Sequence, residues 1–527
     1  MKFFEFQEND TTIEGVKMPE KLNINLYNRD SDLTDAFLTI ASQEDEDSIF
    51  EALRTWFGDE VRFSTHQRSR LFAVIDQLIV QLNTLIYAQL DAILHHPRFQ
   101  QLEASWRGVA YLIKQFDPSE EEIRLRIIHW QWAELSADLE NALEFDQSQL
   151  FKKIYAEHLD TPGGKPFGVL IGDYYVQHRR NRANPDDITT LGKLSEVASA
   201  ALCPFITSCR PSMFGLNSFA ELEMPSELSS AFNPQSDSDN RRWLEFRNSD
   251  EARFIGIVLP HILMRLPYGY DNPDLHHPCY YERVENPDHA GREASGIRNY
   301  LWGNAAYAFG AVLIRAFLNY GWFADIRGLR VDENDGGIIN DLPVPWFETD
   351  PKQVVYKYST EVAITERRAA ELTDLGFISL VRVKDTRYSW FFSCPSVQLP
   401  QTYEFSEDLV SINARMSAML NYILCVSRFG HYIKQIIRDR RVGALTNAGE
   451  IKKYISDEFL FKYRESNESA SSERKAAAPL KDYEVEVQQM PGRPGNYACT
   501  IYLQPHYQFD YVDAKIRLLT EFAPAEP

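Results

Sequence analysis

No apolar run in this 527-residue sequence could cross a bilayer: the longest, Ala305 to Ile314, falls well short of the ~20 residues a spanning helix needs. The opening stretch MKFFEFQENDTTIEG has no basic segment followed by an apolar run of about 7 to 15 residues, so no secretory signal is expected and a cytoplasmic location is. Cysteine is scarce. The six residues Cys203, Cys209, Cys279, Cys394, Cys425 and Cys499 form no Cys-x-x-Cys pair, which excludes the usual zinc-ribbon and dithiol redox arrangements. Singly placed in apolar contexts, they are expected to be buried, reduced thiols. Positive charge is outweighed, 55 Lys and Arg against 76 Asp and Glu, for a net charge of −21. A chain this acidic does not coat nucleic acid, because phosphate binding needs a dominant positive surface.

What is present is apolar and aromatic material: 44% hydrophobic residues and 13% Phe, Trp and Tyr. That composition predicts an ordered protein with extensive packing or interface area, and the length predicts several domains. Residues 1–45 read as an extended arm, with one strand-like octet, KLNINLYN (Lys21 to Asn28), ahead of the acidic SQEDEDS. Residues 46–160 read as a helical region. From Gln67 to Leu94 the positions Leu71, Val74, Ile75, Leu78, Leu82, Leu85, Ile86 and Ile93 recur at helical steps. A second helix after Pro97 carries Leu102, Trp106, Val109 and Ile113 on one face. Residues 161–410 alternate short β-rich runs (FGVLIGDYYV, RFIGIVLPHILMRLPYG, GFISLVRV, YSWFFSCPSV) with helical stretches, which predicts an α/β core. Residues 411–527 read as a long helix, about Ser411 to Arg440, then antiparallel strands in DYEVEVQQM and NYACTIYLQP around the turn PGRPG. The fold class is therefore α+β with a mixed α/β centre.

The adjacent pair His95 and His96 invites a metal or acid–base reading. Helical metal pairs use i,i+4 spacing, however, and neighbouring residues project about 100° apart, so corner packing is favoured. GGKPF (Gly163 to Phe167) is no phosphate loop, since Leu159 stands where the leading glycine belongs and Pro166 where a Ser or Thr would hold magnesium. Asp173 and His178 could form a carboxylate–imidazole couple, but no nucleophile elbow accompanies them. A metal-dependent hydrolase built on His95, His96, Asp173 and His178 is the minor alternative; no cofactor, metal or catalytic residue is expected. Arg179, Arg180 and Arg182 form a basic knot, read as a solvated loop or a docking patch. In SRFGHYIKQIIRDRR (Ser427 to Arg441), helical projection puts Phe429, Tyr432, Ile433, Ile436 and Ile437 on one side. Arg428, His431, Lys434, Arg438 and Arg441 fall on the other, which predicts a basic docking face.

Longer motifs, in order, are ILHHPRFQQLEASWRGVAYL, PFGVLIGDY, FRNSDEARFIGIVLP, LPYGY, YLWGNAAYAF, GWFADIRG, STEVAITERRAAELTDLGFISL, SRFGHYIK and PGRPGNYACTIYLQPHYQ. Together, from about Asp76 to Phe522, they resemble the large contractile-sheath subunit of bacterial type VI secretion systems, the VipB or TssC family. His261 departs from the arginine the resemblance implies, and the arm before about Glu46 matches nothing in it.

The resemblance implies a non-enzymatic structural role, in which the protein pairs with a small sheath subunit (VipA/TssB type) and polymerises helically around an inner tube (Hcp type). Contraction then ejects the tube. Neighbouring protomers, a baseplate and, in many such systems, a recycling AAA+ unfoldase (ClpV type) are implied partners; nucleic acid and direct membrane insertion are not. A sheath of another phage-tail-like contractile machine is the related alternative. On this reading Leu78, Leu82, Leu85 and Trp106 are expected at the small-subunit interface. Asn23, Ile24 and Leu26 of the arm are expected to pair, between protomers, with a terminal hairpin carrying Val485, Val487, Tyr497 and Ile501.

Overall fold

The computed structural model describes residues 65–117, 123–180, 185–224, 227–269, 280–284, 299–330, 335–350, 353–384, 386–401, 414–438, 448–467, 469–489, 497–506 and 516–522. The arm, with Lys21 to Asn28, lies outside them, as do Arg182, Cys279, Arg441 and the turn PGRPG. The chain divides into two compact units. One comprises Met1–Phe99 with Asn272–Arg283, the other Gln100–Asp271 with Val284–Pro527.

The described part of the first unit is dominated by one 30-residue helix, α1 (Thr65–Leu94). It is longer than the expected Gln67 start, and it ends where the alternation of apolar residues ends. Residues 280–283 are strapped to its last turns. The Tyr280 hydroxyl donates to Asp91 Oδ1 at 2.6 Å, Arg283 Nε donates to Asp91 Oδ2 at 3.0 Å, and the Tyr280 ring lies 5.3 Å from that of Tyr87.

The second unit takes up the next helix, α2 (Pro97–Ile113), whose first residue is the proline, where its missing N–H costs nothing. After α3 (Trp132–Asn141) come β1 (Leu170–Val176), α4 (Asp187–Ala200), β2 (Phe205–Cys209), α5 (Ser238–Arg247) and β3 (Ile255–Leu259). Then follow α6 (Ala306–Tyr320), β4 (Ile338–Ile339), α7 (Glu366–Asp374), β5 (Phe377–Arg382) and β6 (Ser389–Phe391). Six strands form one mixed sheet in the order β1-β2-β3-β5-β6-β4. The first four are parallel neighbours, while β6 and β4 join antiparallel.

Side chains alternate across a strand, and here both alternating sets are apolar, the mark of a sheet covered on both sides. Phe205, Ile255, Ile257 and Phe377 pack with Leu191, Leu194 and Val197 of α4 on one face. Ile206, Val258 and Ile378 pack with Ala308, Phe309 and Val312 of α6 on the other. The sheet thus forms a mixed α/β core.

The long C-terminal helix, α8 (Leu420–Arg438), starts later than the expected span, after a break at residues 418–419 that follows a helical turn at residues 414–417. Beyond it lie α9 (Ala448–Lys453) and a three-stranded antiparallel sheet of β7 (Leu480–Gln489), β8 (Tyr497–Pro505) and β9 (Ile516–Phe522), in that order. A short helix, Ser472–Ala477, capped by the Ser471 hydroxyl, precedes β7. Five cysteines are buried thiols. Burial pushes Cys394, Cys425 and Cys499 up to about 12, so they stay protonated and inert.

α2 sits close to α6 because Gly108 has no side chain: a Cβ there would come within 2.3 to 2.6 Å of three Tyr307 ring atoms. Gly108→Ala is expected to cost about 1–3 kcal/mol through this overpacking, read as a lowered denaturant midpoint with unchanged slope.

Candidate assembly surfaces

The second unit anchors α2 through one side of the helix. Ala104, Gly108 and Leu112 are buried on it. Beside them Ser105 Oγ donates to Asp173 of β1, Arg265 Nε donates to Glu103 at 2.7 Å, and the Tyr111 hydroxyl donates to Asp341 at 2.6 Å. Asp173 also receives hydrogen bonds from Tyr307 and Asn304, yet burial still raises its carboxyl above the usual range. Apart from Leu112, the side facing the protein is small or polar, and large apolar residues are left outside. Leu102 and Ile113 are exposed, and Trp106 is 64% exposed. A helix whose outward face is more apolar than its packed face has a second partner to meet.

Within the first unit, α1 repeats the pattern. Ile79, Leu82, Ile86, Leu90 and Ile93 follow at steps of three and four and are all exposed, with Leu82 at 44%. Leu85 is half-buried, and the side chain of Leu78 lies outside the described residues. Of the four residues assigned to a small-subunit interface, Leu82 and Trp106 thus stand free.

The two histidines occupy the turn between the helices. His95 Nε2 lies 3.2 Å from Glu282 Oε1, whose side chain is buried. The backbone N–H groups of His95 and His96 donate to Asp91 and Ile93, closing the end of α1. The Asp173–His178 couple does not form. His178 is buried with Nε2 2.8 Å from Asn240 Oδ1 and Nδ1 against the Met213 sulfur, while Asp173 turns to Ser105. Among the described residues no group of three or more His, Cys, Asp or Glu could hold a metal. Arg180 of the basic knot is tied to Asp239 by its backbone N–H and by Nε at 2.8 Å.

The basic face of α8 is corrected by the packing. Arg428 does not point to solvent: its guanidinium lies 4.3 Å from the Phe317 ring centre, 5.0 Å from Tyr432 and 5.8 Å from Trp322, and donates to the Tyr432 hydroxyl at 2.6 Å. His431 is buried and its Nε2–H donates to the Ala201 carbonyl at 2.9 Å. Lys434 Nζ donates to the Tyr155 hydroxyl at 3.1 Å and lies over that ring. These three side chains are spent within the chain; the side chain of Arg438 and all of Arg441 lie outside the described residues. Among the described side chains, residues of both projected faces are packed.

Burial pushes the His431 imidazole down to about 4, reinforced by Arg428 and Lys434 and opposed by the Ala201 hydrogen bond. The unfolded chain therefore takes up a proton at this site near pH 6.5 that the folded chain refuses until about pH 4. Stability should be complete above pH 6.5 and fall as pH drops toward 4, by a total of about 3 kcal/mol. His431→Gln, which keeps an N–H donor without the titration, should flatten the urea-midpoint profile across that window.

In the C-terminal sheet β8 is central, paired with β7 on one side and β9 on the other. Tyr497 and Ile501 therefore cannot take a strand from another protomer, contrary to the hairpin expectation; Ile501 is also fully buried. The edge strands are β7 and β9, and at the start of β7 Leu480 is bridged to Arg464. Val485 packs in the core beneath β7 and Val487 beside it, while Asp482, Glu484 and Glu486 form an exposed acidic row.

His261 stands in a polar contact no pattern pointed to. Its Nδ1 lies 2.7 Å from Glu361 Oε2, whose other oxygen accepts from Ser218 Oγ at 2.7 Å. Despite the opposing effect of burial, these partners hold the Glu361 carboxyl below its ordinary value. The Arg428 ring cage was invisible in sequence because Phe317 and Trp322 lie more than a hundred positions away.

A two-sided α/β core, a separate terminal sheet and exposed apolar helix faces suit a protein that assembles. The chain matches the EvpB-type tail sheath N-terminal domain of the VipB family over residues 76–398 and its gpW/gp25-like tail sheath domain over residues 410–522. It is 33% identical, over 455 residues covering 86% of each chain, to the type VI secretion system sheath protein TssC1 of Pseudomonas aeruginosa. The chain belongs to the VipB family of tail sheath proteins. It is a structural subunit of a type VI secretion contractile sheath, and as such it assembles with other sheath protomers and other components of that system. No helix among the described residues is long and apolar enough to cross a membrane.

Proposed function

We propose that this chain pairs with a small sheath subunit through the exposed apolar faces of α1 and α2, polymerises helically around an inner tube in the cytoplasm, and drives the tube outward when the lattice contracts. The observation that carries the reading is the placement of Leu102, Trp106 and Ile113 opposite the packed side of α2. A monomer gains nothing by holding three large apolar side chains in water, whereas an obligate heterodimer buries them. A sheath also needs a contact that propagates without closing, and strand addition at an open edge provides one with directional hydrogen bonds. The β7 edge is the acceptor we assign, and the arm octet with Asn23, Ile24 and Leu26 the strand that adds to it. A baseplate would start the lattice, and an AAA+ unfoldase would recycle it after contraction.

Negative-stain microscopy tests the core of this reading. Co-expression with the small subunit should yield hollow tubes, and the chain alone should yield none. Tubes from the chain alone would identify a one-protein sheath of another contractile machine instead.

A further inference from the structure

Residues 123–131 run as a straight chain, with no helical, turn or bend residue among them, between residues 118–122 and the start of α3. Their sequence, IRLRIIHWQ, has the β-branched and aromatic content of a strand. Yet among the described residues they belong to no sheet. Among the described residues no backbone group from Leu125 to His129 makes a hydrogen bond, and every side chain there is exposed, Ile127 at 61% and Ile128 at 59%.

The segment is nonetheless held in place. The Tyr174 hydroxyl donates to the Trp130 carbonyl at 2.6 Å, Trp130 and Trp132 pack on the core, and Arg126 lies against His158 at 2.7 Å and over the Phe167 ring. A chain fixed in extended form with free main-chain donors and acceptors and water-exposed isoleucines is half of a β-ladder.

We propose that residues 125–129 receive a β-strand from the second sheath subunit, one that alternates apolar and acidic residues. Charge selects the occupant. Arg124 and Arg126 lie on one side of the extended chain and Leu125 and Ile127 on the other, so the added strand should alternate carboxylates with apolar residues. A second copy of this segment would set arginine against arginine. The arm octet, Lys21 to Asn28, contains a lysine and no acid. The proposal rests on the pairing of this chain with a small subunit, and it adds a main-chain ladder to the side-chain contacts of α1 and α2.

Amide hydrogen exchange, measured on the full chain alone and in complex with its small sheath subunit, tests it. Exchange at residues 125–129 should slow at least tenfold on complex formation. Ile127→Pro and Ile128→Pro then distinguish pairing from simple covering, because adjacent donors face opposite edges of a strand. Neither variant removes a hydrogen bond within the chain, so both should melt as wild type does. At least one should retain less than a tenth of the wild-type yield of co-purified small subunit. A complex whose residues 125–129 exchange as fast as in the free chain, or full yield from both proline variants, overturns the ladder while leaving the two-subunit sheath intact. Failure of the wild-type chain to bind the small subunit at all would remove that broader reading and the ladder with it.

Discussion

Leu82→Asp and Trp106→Asp should each leave the chain folded while lowering its affinity for the small sheath subunit at least a hundredfold. Leu82 is 44% and Trp106 64% exposed, so neither substitution buries a charge in the free chain, and the melting temperature should move little. In the complex the carboxylate would be enclosed among apolar groups without a partner. An unpaired polar group in such a place costs several kcal/mol, and about 3 kcal/mol already corresponds to two powers of ten in affinity. Trp106 should give the larger effect, since buried tryptophans anchor interfaces. Affinity measured by titration on the two variants, alongside their melting curves, separates the outcomes. Variants that unfold would place Leu82 and Trp106 in a core, and variants that bind normally would place the interface elsewhere.

The second large effect is expected at Arg428, with the opposite signature. Arg428→Glu should cost about 3–5 kcal/mol of stability, because it removes a cation from between Phe317, Trp322 and Tyr432 and leaves a carboxylate against three electron-rich ring faces. The loss should appear in the free chain and depend little on ionic strength, since buried charges are weakly screened. A docking residue would behave otherwise: its reversal would spare the melt and weaken assembly in a salt-dependent way. Burial among the rings lowers the Arg428 guanidinium from its ordinary value, opposed by Tyr432, which is consistent with a cation held for packing.

Much of the architecture was legible. The period of α1, the proline opening α2, the β-rich runs of the central sheet and the alternation in β7 and β8 are local signals, and the elements fall where those signals lie. The family motifs were legible for the same reason, being contiguous strings. His95 and His96 were correctly read as a helix corner, because neighbouring positions on a helix cannot converge on one metal. The terminal hairpin was misread in one respect. Strands β7 and β8 announce themselves by alternation, but which of them is central depends on where Ile516–Phe522 docks, and no pattern within the hairpin encodes that.

The sequence by itself determined the α+β class, the order of elements, the acidic and reduced character of the chain and its membership of the sheath family. Only the tertiary structure decided which helix faces are spent and which are free. Periodicity reports how polarity is distributed around a helix axis, and it is silent on which side meets the rest of the protein. On α2 the small and polar side was taken, by Tyr307, Asp173 and Arg265, so its apolar side faces water. On α8 both sides were taken: the apolar one by the C-terminal sheet core, the cationic one by Ala201, Tyr155 and a ring cage. Those partners stand tens to hundreds of positions away, and burial is a property of the contacts the whole chain makes, so the side of a helix that remains open is settled by folding and not by its own residues.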